Sequence, residues 1–182
     1  MRAFLHGISL CVIVLAGGGL VACGNDIQAT EPDVGAFSDV GPFAQRIDEY
    51  LAMADAARTR AAKPTFRGKV IFVNTKERRV DFRFIEPLIE SKSPLLAYAP
   101  DQVGAVVLVR PRLEEVGLYA GGGKAYVVHA TVTVVDVVQG QAIAEKTFVS
   151  GPPPSSATMG WDAEGPLPAK EILAWVEGMA RQ

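Results

Sequence analysis

Apolar residues recur every three or four positions from Pro42 to Ala62, which is the spacing of one face of a helix. The residues that share this face are Phe43, Ile47, Tyr50, Leu51 and Ala54. Pro42 suits a first helical position, because its missing N–H would be unpaired there anyway, and Pro64 ends the pattern. We therefore predict an N-terminal helix over residues 42–62 that packs on a sheet. A membrane-surface helix fits less well, because acidic residues interrupt its polar face.

The next part of the chain has the two-residue period of β-strands. A short apolar run, Lys69–Val73, is followed by polar turn residues at 74–79. Beyond the turn, Val80, Phe82 and Phe84 alternate with polar residues. This alternation predicts a second, half-buried strand that returns along the first.

Longer strand patterns follow. We predict strands over 105–109, 113–119, 125–138 and 141–149. Pro111 lies between the first two of these predicted strands. We predict a bulge or an edge position there, because proline cannot donate a ladder hydrogen bond. Short turns join successive strands, so the sequence predicts an antiparallel β-meander of about five strands.

A loop rich in glycine, serine and proline, residues 155–166, separates the strands from a second helix, predicted over 168–180. One stripe of that helix is apolar and consists of Ile172, Trp175, Val176 and Met179. The predicted fold is therefore a single α+β domain over residues 40–182. In it, an antiparallel meander packs with an N-terminal and a C-terminal helix.

A separate apolar run, from Ala3 to Ala22, precedes this domain. Arg2 stands before the run, and three glycines near its end would weaken a helix there. These features favour a secretory signal over a membrane span. The run leads into Leu20-Val21-Ala22-Cys23, a leucine, an aliphatic residue, an alanine and a cysteine. This tetrapeptide resembles the lipobox of bacterial lipoproteins.

The resemblance to lipoproteins implies that residues 1–22 are a signal peptide and that Cys23 becomes the first residue of the mature chain. The thiol of Cys23 would be diacylated before cleavage, and its new amino group can then be acylated. One acyl chain gives only marginal attachment, whereas two or three hold a domain at a bilayer. Gly24 stands where an aspartate would suggest the inner membrane, which favours the outer membrane of a Gram-negative cell. The alternative is a buried cysteine in an uncleaved membrane helix.

Residues 23–39 are predicted to be the lipidated cysteine and a flexible tether. The stretch from Asn25 to Asp39 has few large apolar residues, so it would bury too little surface to offset its ordering entropy. The two cysteines of the chain are Cys11 and Cys23, so the predicted domain has neither a disulfide nor a thiol nucleophile. The net charge of −2 gives no reason to expect a nucleic-acid partner.

Gly121-Gly122-Gly123-Lys124 invites comparison with a phosphate-binding loop. That motif needs a glycine where Leu118 stands and a serine or threonine where Ala125 stands. The segment also joins two predicted strands, whereas a phosphate-binding loop runs into a helix. We therefore predict a flexible hairpin and no nucleotide site, and no motif indicates another cofactor.

His129 is the single histidine after the predicted signal peptide. Histidine often serves as a general base, but the domain has no cysteine or Gly-x-Ser-x-Gly elbow to pair with it. One histidine without a carboxylate cluster also makes a poor zinc site. We therefore predict a solvent-facing histidine, no catalytic residue and no metal site. The adjacent acids of Asp48-Glu49 and Glu114-Glu115 would diverge, which does not suit a glycosidase pair.

One stretch is strongly basic. Between residues 58 and 83 the basic residues are Arg58, Arg60, Lys63, Arg67, Lys69, Lys76, Arg78, Arg79 and Arg83, against the acids Glu77 and Asp81. Such a stretch could attract lipid head groups or an anionic envelope polymer. The simpler interpretation is a solvated turn and helix end, where basic residues are favourable.

The body of the chain resembles uncharacterised bacterial exported domains. The likeness lies in Gly117-Leu118-Tyr119, in the run Ala130–Asp136 and in the proline-rich segment before the last helix. These domains have no known activity, so the resemblance implies none. We expect a lipid-anchored protein of the cell envelope, a non-catalytic binding or structural module, whose partner is the membrane and an envelope protein or polymer. The alternatives are an envelope hydrolase that uses carboxylates and an electrostatic binder of an anionic surface.

Overall fold

The structure, a computed structural model, describes residues 34–39, 41–55 and 64–181. The strands in chain order are β1 (Phe66–Arg67), β2 (Lys69–Asn74), β3 (Arg79–Val80), β4 (Val103–Leu118), β5 (Lys124–Asp136), β6 (Gln141–Val149), β7 (Ala163–Glu164) and β8 (Ala180–Arg181). The α-helices are α1 (Ile47–Ala52), α2 (Phe82–Glu90) and α3 (Ala169–Glu177). Short 3-10 turns lie at Val34–Phe37, Ala44–Arg46, Met53–Asp55 and Pro100–Gln102. The fold class is α+β, as predicted.

Six strands form one mixed sheet. Its order is β3-β2-β4-β5-β6, and β7 pairs with β5 outside this path. Strands β1 and β8 form a separate two-stranded parallel sheet. The prediction of a wholly antiparallel meander is wrong, because β2 and β4 run parallel, from Lys69 opposite Val103 to Asn74 opposite Val109. Parallel neighbours need a long crossover rather than a tight turn, and the segment that contains α2 supplies it.

Helix α2 replaces the strand predicted at Val80, Phe82 and Phe84. Only Arg79 and Val80 are extended, and the helix begins at Phe82. Asp81 is its N-cap and accepts a hydrogen bond from the backbone N–H of Arg83 at 3.3 Å. The buried face of α2 consists of Phe84, Ile85 and Leu88, and the ring of Phe84 stacks on Phe72 of β2.

The prediction of two strands over 105–109 and 113–119 is wrong, because strand β4 runs without interruption through Pro111. Strand β2 ends opposite Val109, so in the described part of the chain Pro111 pairs only with β5, opposite Ala130. The predicted edge position is therefore confirmed. A register shift does occur in β4, between Glu115 and Gly117.

The strands predicted over 125–138 and 141–149 correspond to β5 and β6. The even-numbered side of β5 is buried at Val128, Ala130, Val132 and Val134, and three residues of the other side are only partly covered: His129, Thr131 and Thr133. Helices α2 and α3 pack on the buried side. The ring of Trp175 on α3 meets Phe148 of β6 edge-on at 5.6 Å, and Phe148 lies opposite Ala130.

The two predicted helices differ in outcome. The C-terminal helix is observed as α3, and its stripe is buried at Ile172, Val176 and Met179, with Trp175 partly covered. The N-terminal helix is observed only as α1, flanked by 3-10 turns, and the remainder of its predicted range lies outside the described residues. The predicted inner face is nevertheless buried at Phe43, Ile47 and Tyr50.

The packed domain begins before the boundary predicted at residue 40. Phe37, assigned to the tether, is 1% exposed and stacks on Phe43 at 5.4 Å. Ala36 is buried as well. The two side chains give this short segment the apolar surface that the tether prediction overlooked. Residues 1–33, which include the predicted signal peptide, lie outside the described residues.

Candidate functional site

The predicted lipidation site, Cys23, lies outside the described residues, as do Arg58, Arg60 and Lys63. The six other basic residues of the predicted anionic-surface site are described. Lys76, Arg78 and Arg79 belong to the turn and strand that follow β2, whereas Arg67 and Lys69 lie at the opposite end of β2. A strand of that length spans about 16 Å. The chain therefore distributes these residues over two ends of the sheet.

Three of these arginines have carboxylate partners. Arg78 pairs with Asp48 at 2.7 Å, Arg79 with Glu77 at 2.6 Å and Arg83 with Asp81 at 2.6 Å. The hydrogen bonds that Arg79 donates to Glu77 and that Arg83 donates to Asp81 raise the pKa of each arginine above the ordinary value. Each partner offsets one positive charge, so the described residues present a weaker positive field than the sequence count indicates.

A depression of about 270 Å³ lies beside this turn. Its lining residues come from the turn and from the N-terminal segment, by which we mean the described residues up to Asp55. They are Phe37, Ser38, Asp39, Ala44, Ile47, Glu77, Arg78, Arg79 and Val80. The depression brings two of the predicted basic residues next to Asp39 and Glu77. It is thus a place where oppositely charged groups meet, and it does not concentrate charge of one sign.

His129 faces the incompletely covered side of the sheet. Its side chain is 24% exposed, and Nε2 lies 2.8 Å from the carboxylate of Glu114 on β4. Arg112, which is opposite His129 in the register, approaches the same carboxylate at 3.7 Å. The predicted solvent-facing histidine is therefore partly covered and has a carboxylate partner.

The chemistry open to this group follows from its surroundings. A carboxylate can orient an imidazole, and the residues beside His129 on its face of β5 are Val127 and Thr131. Glu114 and Arg112 have more than half of their side chains exposed. The group therefore lies on an open surface, which suits recognition of a partner better than exclusion of water from a reaction.

The same side of the sheet continues as a strip of hydroxyl and charged groups. The hydroxyls of Thr131 and Thr147 lie 3.3 Å apart across β5 and β6, and Thr133 donates to Glu145 at 3.0 Å. A small depression here, about 70 Å³, is also lined by Ala54, Thr75, Leu108 and Arg110. These polar groups form a contiguous surface next to the end of the N-terminal segment.

The paired acids predicted not to form a glycosidase site have separate partners. Glu114 pairs with His129, whereas its neighbour Glu115 pairs with Lys124 at 2.7 Å. Asp48 pairs with Arg78, whereas Glu49 pairs with Arg46. The hydrogen bond that Glu49 accepts from Arg46 lowers the pKa of Glu49, and the bond that Lys124 donates to Glu115 raises the pKa of Lys124.

The three glycines form the loop of the β4–β5 hairpin. Tyr119 donates its backbone N–H to Gly123 at 2.8 Å, and Gly122 has a φ of +88°, a conformation that favours glycine. Lys124 begins β5, so the loop runs into a strand, where a phosphate-binding loop would run into a helix.

A cluster beside this loop was not predicted from the sequence. Val116, Leu118, Met159 and Trp161 are large apolar residues with more than half of their surface exposed. The hairpin tip lies against the segment 159–161, since a Cβ added at Gly123 would lie 1.9 Å from the carbonyl oxygen of Trp161. We call these four residues the tip cluster. The two segments are distant in sequence, and the pairing of β7 with β5 brings them to the same end of the sheet.

No family model, curated protein or solved structure matches this chain. Among the described residues, no three potential ligands from histidine, cysteine, aspartate and glutamate lie close enough to hold a metal ion. The helices in that part of the chain are each too short or too polar to cross a membrane.

Proposed function

We propose that this protein is a lipid-anchored protein of the cell envelope whose domain binds a partner without catalysing a reaction. The observation that carries the proposal is Leu20-Val21-Ala22-Cys23 at the end of an apolar run that follows Arg2. In the proposal, Cys23 is the first residue of the mature chain and carries two or three acyl chains. These chains hold the domain at the bilayer, because each buried methylene contributes about 0.8 kcal/mol.

The surface of the domain supports binding rather than chemistry. The acids Asp48 and Glu115 make short, exposed contacts with basic residues, and the carboxylate of Glu114 lies 2.8 Å from Nε2 of His129. The candidate binding surface is the side of the sheet around Arg112, Glu114 and His129, which is polar and only partly covered. An envelope protein or polymer with hydrogen-bonding groups would suit it. Turnover of an envelope substrate that is lost on His129→Ala would contradict this part of the proposal.

The proposed location is the cell envelope and, if the cell is Gram-negative, its outer membrane. Residue 24 is glycine, and it is an aspartate at this position that favours inner-membrane retention. Separation of the two membranes by density, followed by detection of the protein, would test this assignment. Recovery in the inner-membrane fraction would contradict it.

Labelling with an alkyne fatty acid tests the anchor itself. We expect the wild-type protein to take up the label in its native cells and Cys23→Ser to take up none, because serine cannot form the thioether to the lipid. Cys11→Ser is the matched control, because Cys11 lies in the segment that the proposal removes. It should be labelled like the wild type. Equal labelling of Cys23→Ser and the wild type would contradict the proposal.

A further inference from the structure

The tip cluster is the most exposed group of apolar residues at one end of the described sheet. The exposed fractions are 51% for Val116, 69% for Leu118, 81% for Met159 and 71% for Trp161. Exposed apolar surface of this kind marks a contact site more often than a single exposed side chain does. The partner should therefore be apolar, at least in part.

Hydrogen bonds join the β4–β5 loop, which follows Leu118, to the segment that contains Met159 and Trp161. Gly160 donates its N–H to the carbonyl of Gly121 at 3.0 Å, and Lys124 donates its N–H to the carboxylate of Asp162 at 2.8 Å. A Cβ added at Gly121 would lie 2.9 Å from the Cα of Met159. These contacts therefore fix the position of the segment that carries the exposed side chains of Met159 and Trp161.

The tip cluster lies at the end of the sheet where β4 extends beyond β2. Strand β2 stops at Asn74, opposite Val109, and β4 continues for nine residues to Leu118. Nine residues of strand extend about 30 Å. The tip of the hairpin therefore projects well past the end of β2.

The N-terminal segment approaches the same end of the sheet. Ser38 and Asp39 line a depression together with Glu77 and Val80, which follow the end of β2. Cys23 precedes Val34 by eleven residues, and a chain of that length spans at most about 36–40 Å. This reach is comparable with the projection of the hairpin, so an anchor at Cys23 and the tip cluster can meet one bilayer.

We propose that the tip cluster inserts into the boundary between head groups and acyl chains of the bilayer that holds the anchor. The inference rests on the proposed function, since it uses Cys23 as the first attachment. Tryptophan favours this boundary, where its ring contacts apolar chains and its N–H meets polar groups. The nearest charges on the hairpin, Glu115 and Lys124, neutralise each other in an ion pair at 2.7 Å. The second contact would orient the domain on the membrane.

Tryptophan fluorescence gives a direct test, because the chain has two tryptophans. In Trp175→Phe, emission comes from Trp161 alone. The mature protein is purified in detergent from native cells and reconstituted into vesicles of native lipid that contain brominated phospholipid. In these vesicles, its fluorescence should lie at shorter wavelength than in detergent-free buffer, and the bromines should quench most of it. In Trp161→Phe, emission comes from Trp175, which packs on Phe148, and the bromines should quench it little.

A second pair of variants distinguishes insertion of the tip cluster from a general effect of exposed apolar residues. Leu118→Asp should leave the protein on the vesicles through its lipid but expose Trp161 to a water-soluble quencher. Val138→Asp is the control, because Val138 is 88% exposed and lies between β5 and β6, at the other end of the sheet. It should leave the quenching of Trp161 unchanged.

The outcomes distinguish the two proposals. An acylated, vesicle-bound protein in which bromines do not quench Trp161 would overturn the tip insertion and leave the anchor intact. Shielding of Trp161 in native envelopes but not in vesicles of extracted lipid would also overturn it, in favour of a protein partner. An unacylated Cys23 in the mass spectrum of the same sample would overturn the proposed function and, with it, the inference that depends on the anchor.

Discussion

Three buried polar side chains hold the ends of strands by accepting backbone hydrogen bonds. The carboxamide of Asn74 accepts from the N–H groups of Lys76 and Glu77, both at 3.0 Å. Asp136 accepts from the N–H of Gln139 at 2.9 Å after β5. Asp81 does the same at the start of α2. A buried acceptor without a partner would cost about 1–3 kcal/mol, which explains why each of these residues lies beside a turn or a helix start.

Substitution of Asp81 tests one of these local effects. Asp81→Ala removes the N-cap of α2 and leaves Arg83 without its carboxylate partner, so we expect a loss of about 1–2 kcal/mol in the free energy of unfolding. Asp81→Asn keeps a capping oxygen and loses only the charge, so its loss should be smaller. Urea denaturation measures both. Equal stability of Asp81→Ala and the wild type would contradict the capping role.

Tyr50 has an unpaired hydroxyl in the core. The residue is 0% exposed, and its hydroxyl has no hydrogen-bond partner among the described residues. Tyr50→Phe removes this buried group and keeps the ring, so it should raise the free energy of unfolding by about 1 kcal/mol. Chemical denaturation at neutral pH measures the change. A clear loss of stability would show that the hydroxyl is satisfied.

The same residue predicts a dependence on alkaline pH. Burial raises the pKa of Tyr50 above the ordinary value of 10.0, because the phenolate is disfavoured in the core. The neutral phenol therefore favours the folded state fully below pH 10.0, and this stability is lost as the pH rises through the raised pKa. Repeating the denaturation above pH 10.0 should show a smaller decline for Tyr50→Phe than for the wild type.

At the scale of elements, long periodic patterns were the most predictable. The long strand pattern at 125–138 correctly predicted one strand, β5. The short alternation of Val80, Phe82 and Phe84 was misleading, because Phe84 and Leu88 also have helical spacing. Pro87 lies inside α2. The signal that could have identified this helix is Asp81 at the N-cap.

The packing of segment 159–161 on the β4–β5 loop can be tested at Gly123. A Cβ there would lie 1.9 Å from the carbonyl oxygen of Trp161, so Gly123→Ala should displace residues 158–162 from the hairpin. Hydrogen exchange at the N–H of Gly160 and of Lys124 should accelerate, because both bond across this contact. Gly117→Ala is the control, since nothing lies within 4 Å of its added Cβ. Equal exchange in the two variants would contradict the predicted displacement.

At the scale of the whole molecule, the sequence predicted the α+β fold class better than the order and direction of the strands in the sheet. The order of strands depended on whether residues 82–90 form a helix, because a helix permits the parallel crossover from β2 to β4 and a strand does not. The tip cluster could not be found from the sequence, since Leu118 and Trp161 are far apart in the chain and the pairing of β7 with β5 brings their segments to one end of the sheet. The lipobox, by contrast, is a local motif that needs no tertiary structure to be recognised.

The attachment of the whole molecule to a membrane is the central claim, and the intact mass of the protein from its native cells tests it most directly. We predict a chain that begins at Cys23, lacks residues 1–22 and carries the added mass of a diacylglyceryl group and, where the amino group is modified, a third acyl chain. The observation of an unmodified chain that still begins at Met1 would contradict the account.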